Sequence, residues 1–284
     1  MINLEQYDFV DIGCATMGSA AFLSKLGLKS GVGVSNDAAR VKKAAAGGHA
    51  AVQLDPADLE SFKGKTKICF ISQHIERLES FADARKTLAA AVHVSRQAVF
   101  VRMPWFDSDG PNLKAGVKMF WSDWKAHTLP LTSLHFHRAL APLIGKNSIA
   151  RFVILGYRPI TDSGDDSVLP LAAERDSQKY DVRKHGEKAV FPLPVPTFTE
   201  IFVLVARQNP ASLEKMIAAL GDVTMIYDTD NQSAAPAAPS IAHTAETISP
   251  EAKQPAPAPA TVLRAPSGLS RPSQRGSTRP FEKR

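Results

Sequence analysis

The sequence predicts an α/β protein: a doubly wound, mostly parallel sheet with a cap-like insertion after the fifth strand and a disordered C-terminal tail. Three observations predict it. Over residues 1 to about 104, short apolar runs alternate with helical patterns across short connections, the layout of a parallel sheet covered on both faces. From Trp105 to Thr197 the pattern is irregular and rich in Trp, His and Pro. From Asn231 onward the chain carries 9 of the 20 prolines, many Ala and Ser, and Phe281 as its one aromatic, too little apolar area to offset the entropy of ordering.

The elements follow in order. Residues 9–12 read as a buried strand, 13–18 as a turn and 19–26 as the start of a helix. A second strand spans 31–35, and the helix after it runs to Ala46, where Gly47-Gly48 ends it. A third strand at 50–54 stops at Asp55-Pro56. A fourth at 67–72 leads into an amphipathic helix over roughly 78–94, and a fifth at 98–102 is stopped by Pro104. Beyond it stand a helix at 131–143, a strand at 152–155, a strongly apolar strand at 198–206 and a last helix at 212–220. The 198–206 strand reads as an edge or hairpin strand completing the same sheet. The chain thus divides into a domain over 1–230, with its insertion at about 105–197, and a tail over 231–284 whose Pro-Ala alternation at 254–260 forms a stiff spacer.

With 44% apolar and 22% charged residues, the 284-residue chain is globular rather than fibrous or wholly disordered. Cys14 and Cys69 are too few for a framework of disulfides, so a reducing compartment and a cytoplasmic location are expected. No apolar run of about 18 residues is present to span a membrane, and the N-terminus lacks the basic-then-apolar layout of a secretory signal. The net charge of +6 invites a nucleic-acid reading, but the tail holds 7 Lys/Arg against 3 Asp/Glu and so carries most of it. Nucleic acid is therefore not an expected partner, whereas the tail is expected to contact an acidic partner weakly.

The chemistry gathers at the strand ends. The turn Asp11-Ile12-Gly13-Cys14-Ala15-Thr16-Met17-Gly18-Ser19 leaves strand one and enters a helix. Its small residues let the backbone approach a ligand, and the helix N-terminus offers free N–H groups. A Walker ending and a full G-x-G-x-x-G are absent. Gly33-Val34-Ser35 closes strand two, 53–59 closes strand three with Asp55, and Ile71-Ser72-Gln73-His74-Ile75-Glu76-Arg77-Leu78 closes strand four. In this order and spacing, from Tyr7 to about Pro104, the four segments resemble the motifs of the class I S-adenosylmethionine-dependent methyltransferases.

That resemblance implies a Rossmann-like methyltransferase fold with S-adenosylmethionine as cofactor. It implies that Asp11 and Gly13, with Cys14 and Gly18 in the same turn, lie beside the methionine part. Ser35 then meets the ribose hydroxyls, Asp55 the adenine amino group, and Gln73 and His74 lie near the sulfonium. The family usually carries an acid where Ser35 stands, and a serine hydroxyl bonds ribose more weakly than a carboxylate. Asp37 lies two residues on.

Methyl transfer is an in-line displacement, so the enzyme mainly aligns the reactants and takes a proton from a hydroxyl or amine acceptor. The acceptor site and its base are expected after strand five, where all three tryptophans and three of the eight histidines fall within 33 positions. Trp105, Trp121 and Trp124 are candidate acceptor contacts, stacking on a sugar or a flat ring. His127 and His135 are candidate bases near neutral pH. Trp121 and Trp124, three apart, fit a cap-helix core better than an acceptor contact. His135 and His137 would diverge on a helix and find no further ligands, so no metal site is expected.

The expected activity is methyl transfer to an oxygen or nitrogen of a small molecule or glycan. One alternative is a catalytically inactive methyltransferase-like binding or scaffold protein, prompted by Ser35 and the short lead-in before strand one. Another is a nucleic-acid methyltransferase, weakened because residues 72–75 do not carry the Asn/Asp-Pro-Pro-Tyr/Phe-type motif of base methylation. An NAD-dependent dehydrogenase is a minor alternative, since it too would want an acid after strand two.

Overall fold

Strands buried on both faces need largely apolar runs, and residues 9–12, 31–35 and 66–72 supply them around the buried polar residues Asp11, Ser35 and Thr66. The computed structural model describes residues 3–14, 19–62, 65–146 and 148–234. Its strands are β1 (Phe9–Ile12), β2 (Gly31–Ser35), β3 (Ala50–Gln53), β4 (Thr66–Ser72), β5 (Ser95–Pro104), β6 (Val117–Met119), β7 (Arg151–Asp162), β8 (Val168–Pro170), β9 (Pro192–Ala206) and β10 (Val223–Asp228). Its helices are α1 (Ser19–Lys25), α2 (Ala38–Ala46), α3 (Phe81–Val94), α4 (Asp109–Lys114), α5 (Ser133–Gly145), α6 (Val182–His185) and α7 (Ser212–Leu220).

Eight strands form one sheet in the order β10-β7-β9-β5-β4-β1-β2-β3, and β6 pairs with β8 separately. From β3 to β5 all neighbours are parallel. β9 then runs antiparallel to both β5 and β7, and β10 antiparallel to β7. The chain order reverses at β1, which lies between β2 and β4, so a crevice opens at their carboxyl ends, the usual ligand position in such sheets.

Alternate residues of each strand feed two cores. Val10, Ile12, Cys69, Ile71, Val203 and Val205 join Ala84 and Leu88 of α3 and Phe136 and Leu140 of α5. On the opposite face Phe9, Ile68, Phe70, Phe202 and Leu204 join Leu23 of α1, Ala44 of α2, and Leu213 and Met216 of α7. Two helical layers thus sandwich the sheet.

The sequence expectations shift in three places. The 198–206 segment completes the same sheet and pairs antiparallel with β7, as a hairpin strand would, but it is interior rather than an edge: β9 is buried from Ile201 to Ala206 and hydrogen-bonded on both sides. The edge is β10, whose Thr224, Met225 and Ile226 are exposed and gave no strong strand pattern. The span from 105 to 197 is not all insertion, because β7 belongs to the main sheet. The cap proper consists of α4, β6, β8 and α6 with their loops, together with the loop entering α5.

Order also continues past residue 230, through a 3-10 turn at Thr229–Ala234. Arg151 explains it. Its guanidinium grips Asp228 through Nε at 2.9 Å and Nη2 at 2.6 Å, and lies 3.3 Å from Asp230, while Nη1 reaches Glu214 at 2.6 Å. The rest of the expected tail lies outside the described residues. Among those described, no helix is long and apolar enough to cross a membrane.

Candidate functional site

The crevice at the carboxyl ends of β1, β2, β3 and β4 gathers the four motif segments. Gly13 leaves β1 with φ +81, a left-handed conformation that favours glycine. Its N–H donates to Val34 O at 2.9 Å, and its carbonyl accepts from Arg40 Nη1 at 2.9 Å. His74 leans onto it, so a Cβ at position 13 would lie 2.5 Å from His74 Cβ. Asp11 is buried in β1 opposite Gly33 and Phe70. Cys14 is buried, and its thiol is pushed up to about 11 by burial and then by the Asp11 charge, which leaves it inert as a nucleophile. Gly18 lies outside the described residues.

Ser35 is buried at the end of β2, where its Oγ accepts from Asp37 N–H at 3.1 Å. Asp37 caps α2 by accepting from Ala39 N–H at 2.8 Å and Arg40 N–H at 3.4 Å, so the nearby acid holds the helix. Asp55 caps the 3-10 turn Pro56–Ser61 through Ala57 N–H at 2.9 Å. It also lines a cleft of about 780 Å³ together with Asn36, Ala57, Arg77 and Leu78.

Gln73 turns the chain out of β4 in the left-handed region, at φ 47, a conformation a non-glycine residue adopts at a cost and often at functional sites. Its N–H donates to Arg102 O at 2.9 Å and its carbonyl accepts from Arg77 Nε at 3.1 Å. His74 is buried, and its imidazole is pushed down to about 4, by burial first and then by the Arg40 charge. It is therefore neutral at pH 7, and its Nε2 makes no hydrogen bond within the described residues.

Above the crevice, Trp105 and Trp121 are packed in the core. Trp121 Nε1 donates to Trp105 O at 2.7 Å, and Trp105 meets Phe198 edge-on at 4.9 Å. Trp124 is half-buried, donates from Nε1 to Ser177 O at 3.0 Å and lies 5.1 Å from the His127 ring. His135 reaches back at the start of α5, its Nδ1 lying 3.1 Å from Thr132 N and 2.8 Å from Thr132 Oγ1, and its ring packs against Phe81. That engagement is a helix cap. His127 differs: its Nδ1 lies 2.8 Å from Trp121 O, and its side chain is only 2% exposed.

Two functional candidates escaped the sequence reading. Glu76 is fully buried, neither carboxylate oxygen has a hydrogen-bond partner among the described residues, and burial pushes its carboxyl up to about 7. His127 Nε2 lies 4.0 Å from Glu76 Oε1, and Arg77 Nε lies 3.8 Å from the same oxygen. Arg40 stands across the mouth between β1 and β2. Glu76 falls inside the strand-four segment, but a lone acid on a turn reads by default as solvated; only its place one turn past a strand end marks it. The described residues contain no group of three or more His, Cys, Asp or Glu that could hold a metal ion.

No protein-family model matches the chain, and no curated protein does. Solved structures do. One is an S-adenosylmethionine-dependent methyltransferase from Archaeoglobus fulgidus, at 14% identity and TM-score 0.49, covering 70% of this chain and 85% of that one. A second is the magnesium protoporphyrin IX methyltransferase of Synechocystis PCC 6803 with bound S-adenosylmethionine, at 10% identity and TM-score 0.39, covering 72% of each chain. A third is a plantazolicin methyltransferase in complex with a substrate analogue and S-adenosylhomocysteine, at 12% identity and TM-score 0.42, covering 72% of this chain and 77% of that one. By its own strand order, switch point and strand-end segments, the chain carries a Rossmann-like α/β fold, the fold its motifs imply.

Proposed function

We propose that this chain transfers a methyl group from S-adenosylmethionine to an oxygen or nitrogen of a small molecule or glycan. The observation that supports it is the convergence, at one switch point, of the four strand-end segments that resemble the motifs of that enzyme family. The crevice suits the cofactor's adenosyl half. Ser35 and Asn36 offer hydroxyl and amide groups for a ribose, Asp55 offers a carboxylate for an exocyclic amine, and the adjoining cleft has room for a purine. Asp11, Gly13, Cys14, Gln73 and His74 would line the methionine half. The cofactor supplies an electrophilic methyl group whose carbon–sulfur electron pair stays on sulfur. The protein's part is to align the acceptor, exclude water and take its proton, a task we give to His127.

A second reading, a binding protein without turnover, draws on Arg40 and His74, which together cover Gly13. Isothermal titration of the full chain with S-adenosylmethionine and S-adenosylhomocysteine tests the first reading. Binding supports it; a folded sample that binds neither at millimolar concentration overturns it. Arg40→Ala separates the two: tighter binding in the variant identifies Arg40 as a plug, and weaker binding as part of the cofactor site.

A further inference from the structure

Resting on the methyltransferase reading, we propose that Glu76 is the positioning residue of the acceptor site: it faces the lone-pair nitrogen of His127, the proton acceptor, and balances the imidazolium that forms there. The geometry begins with the His127 tautomer. Nδ1 lies 2.8 Å from the carbonyl oxygen of Trp121, which can only accept, so Nδ1 carries the ring proton and Nε2 the lone pair. That lone-pair nitrogen is 4.0 Å from Glu76 Oε1, too far for a direct hydrogen bond. An atom set off the line between them can nevertheless stand about 2.8 Å from both, the reach of an amine that donates one N–H to each.

The surroundings fit this role better than a purely structural one. A buried carboxyl with no hydrogen-bond partner beyond its own backbone N–H is rare in folded proteins and calls for a reason. Glu76 does not serve as a cap, and its backbone carbonyl is already engaged by Leu129 N–H at 2.9 Å, which fixes the turn beneath the cap. The other charged groups acting on it are Arg77 on its own turn, Arg40 of α2 and Glu200 of β9.

The proton balance is simple. The acceptor's X–H bond breaks and its proton passes to His127 Nε2. The electron pair left on X forms the bond to the methyl carbon. The neutral imidazole and ionised carboxyl become an imidazolium–carboxylate pair, with Nδ1–H still directed to Trp121 O.

Nuclear magnetic resonance on the full chain, labelled at glutamate carboxyl and histidine ring positions, tests this without substrate or cofactor. In the wild type the His127 ring should hold its proton on Nδ1, and the Glu76 carboxyl and His127 ring should titrate as one coupled pair. Glu76→Gln should lower the His127 titration midpoint by about one pH unit or more, since a carboxylate within 4–6 Å favours the imidazolium. His127→Gln should leave Glu76 with a single uncoupled step, and this variant decides the matter if Glu76→Gln does not fold. A His127 midpoint and tautomer unmoved by Glu76→Gln, or a Glu76 curve unmoved by His127→Gln, overturns the proposal. If cofactor binding is intact while these titrations are uncoupled, the pair alone is wrong; if coupling is present without cofactor binding, the methyltransferase reading falls instead.

Discussion

Glu76→Gln should make the protein more stable at alkaline pH and leave it nearly unchanged in acid. The carboxyl is fully buried, and burial raises it from an ordinary 4.5 to about 7 against the opposing pull of its own backbone N–H first and then of Arg77 and Arg40. Below 4.5 the group is protonated in folded and unfolded chains alike, and Glu behaves much as Gln does. As pH rises from 4.5 to 7, the unfolded chain gives up this proton while the folded chain keeps it, so stability is lost; above 7 both are ionised and the loss is complete. At 1.36 kcal/mol per pH unit, that window corresponds to about 3 kcal/mol, which Gln escapes because it cannot ionise. Urea unfolding of both proteins at pH 5 and pH 8 reads it directly. The gain from Glu76→Gln should exceed its pH 5 value by roughly 2–3 kcal/mol at pH 8. The same difference at both pH values, or a variant weaker at pH 8, would refute the claim that the burial of Glu76 outweighs the pull of its neighbours.

Arg151→Met should cost about 3 kcal/mol in urea unfolding at pH 7, because it leaves the Asp228 carboxylate, 4% exposed, without its bidentate partner. Arg151 holds that carboxyl below its ordinary 3.8, so the pair stabilises above about pH 4 and is lost as pH falls; the variant should show a flatter acid limb. Gly156→Ala should destabilise by about 1–3 kcal/mol, since its Cβ would lie 2.5 Å from the Phe198 ring, and Phe198→Leu should recover part of the loss. Cys14 and Cys69, both buried with thiols pushed upward, should react with a disulfide reagent at pH 8 only at the rate of unfolding.

The parallel half of the fold was legible because both-face burial leaves a plain signal. β1 and β2 have the bounds their apolar runs predict, and α2 stops at Gly47 as the glycine pair requires. Legibility failed where burial is one-sided or contacts are distant. β10 is exposed at three successive positions and is held by Arg151, whose partners lie more than 60 residues away in sequence. The turn at 229–234 followed it into the expected tail for the same reason. In the site, the strand-end segments were found because spacing along the chain fixes them. Glu76 was missed because its importance lies in being buried with no side-chain hydrogen bond beside His127, which only the packing of His127 and the cap over it creates.

That absence is not scattered. Among the described residues, the buried side-chain atoms left without hydrogen bonds include His74 Nε2 and both Glu76 oxygens, just past β4, Trp105 Nε1, just past β5, and Asn112 Oδ1 in α4. Both strands end at the same edge of the sheet, the edge that forms the crevice. Burying such groups unpaired costs on the order of 1–3 kcal/mol each. Elsewhere the fold avoids that cost: Arg151 and Asp228 satisfy one another, and Ser95 Oγ donates to Val92 O at 3.2 Å. Concentrating the deficit at one edge is what a site does when its missing partners belong to a ligand, because binding then recovers the hydrogen bonds that folding alone leaves unmade. The stability gained by Glu76→Gln should therefore come with a loss of acceptor chemistry.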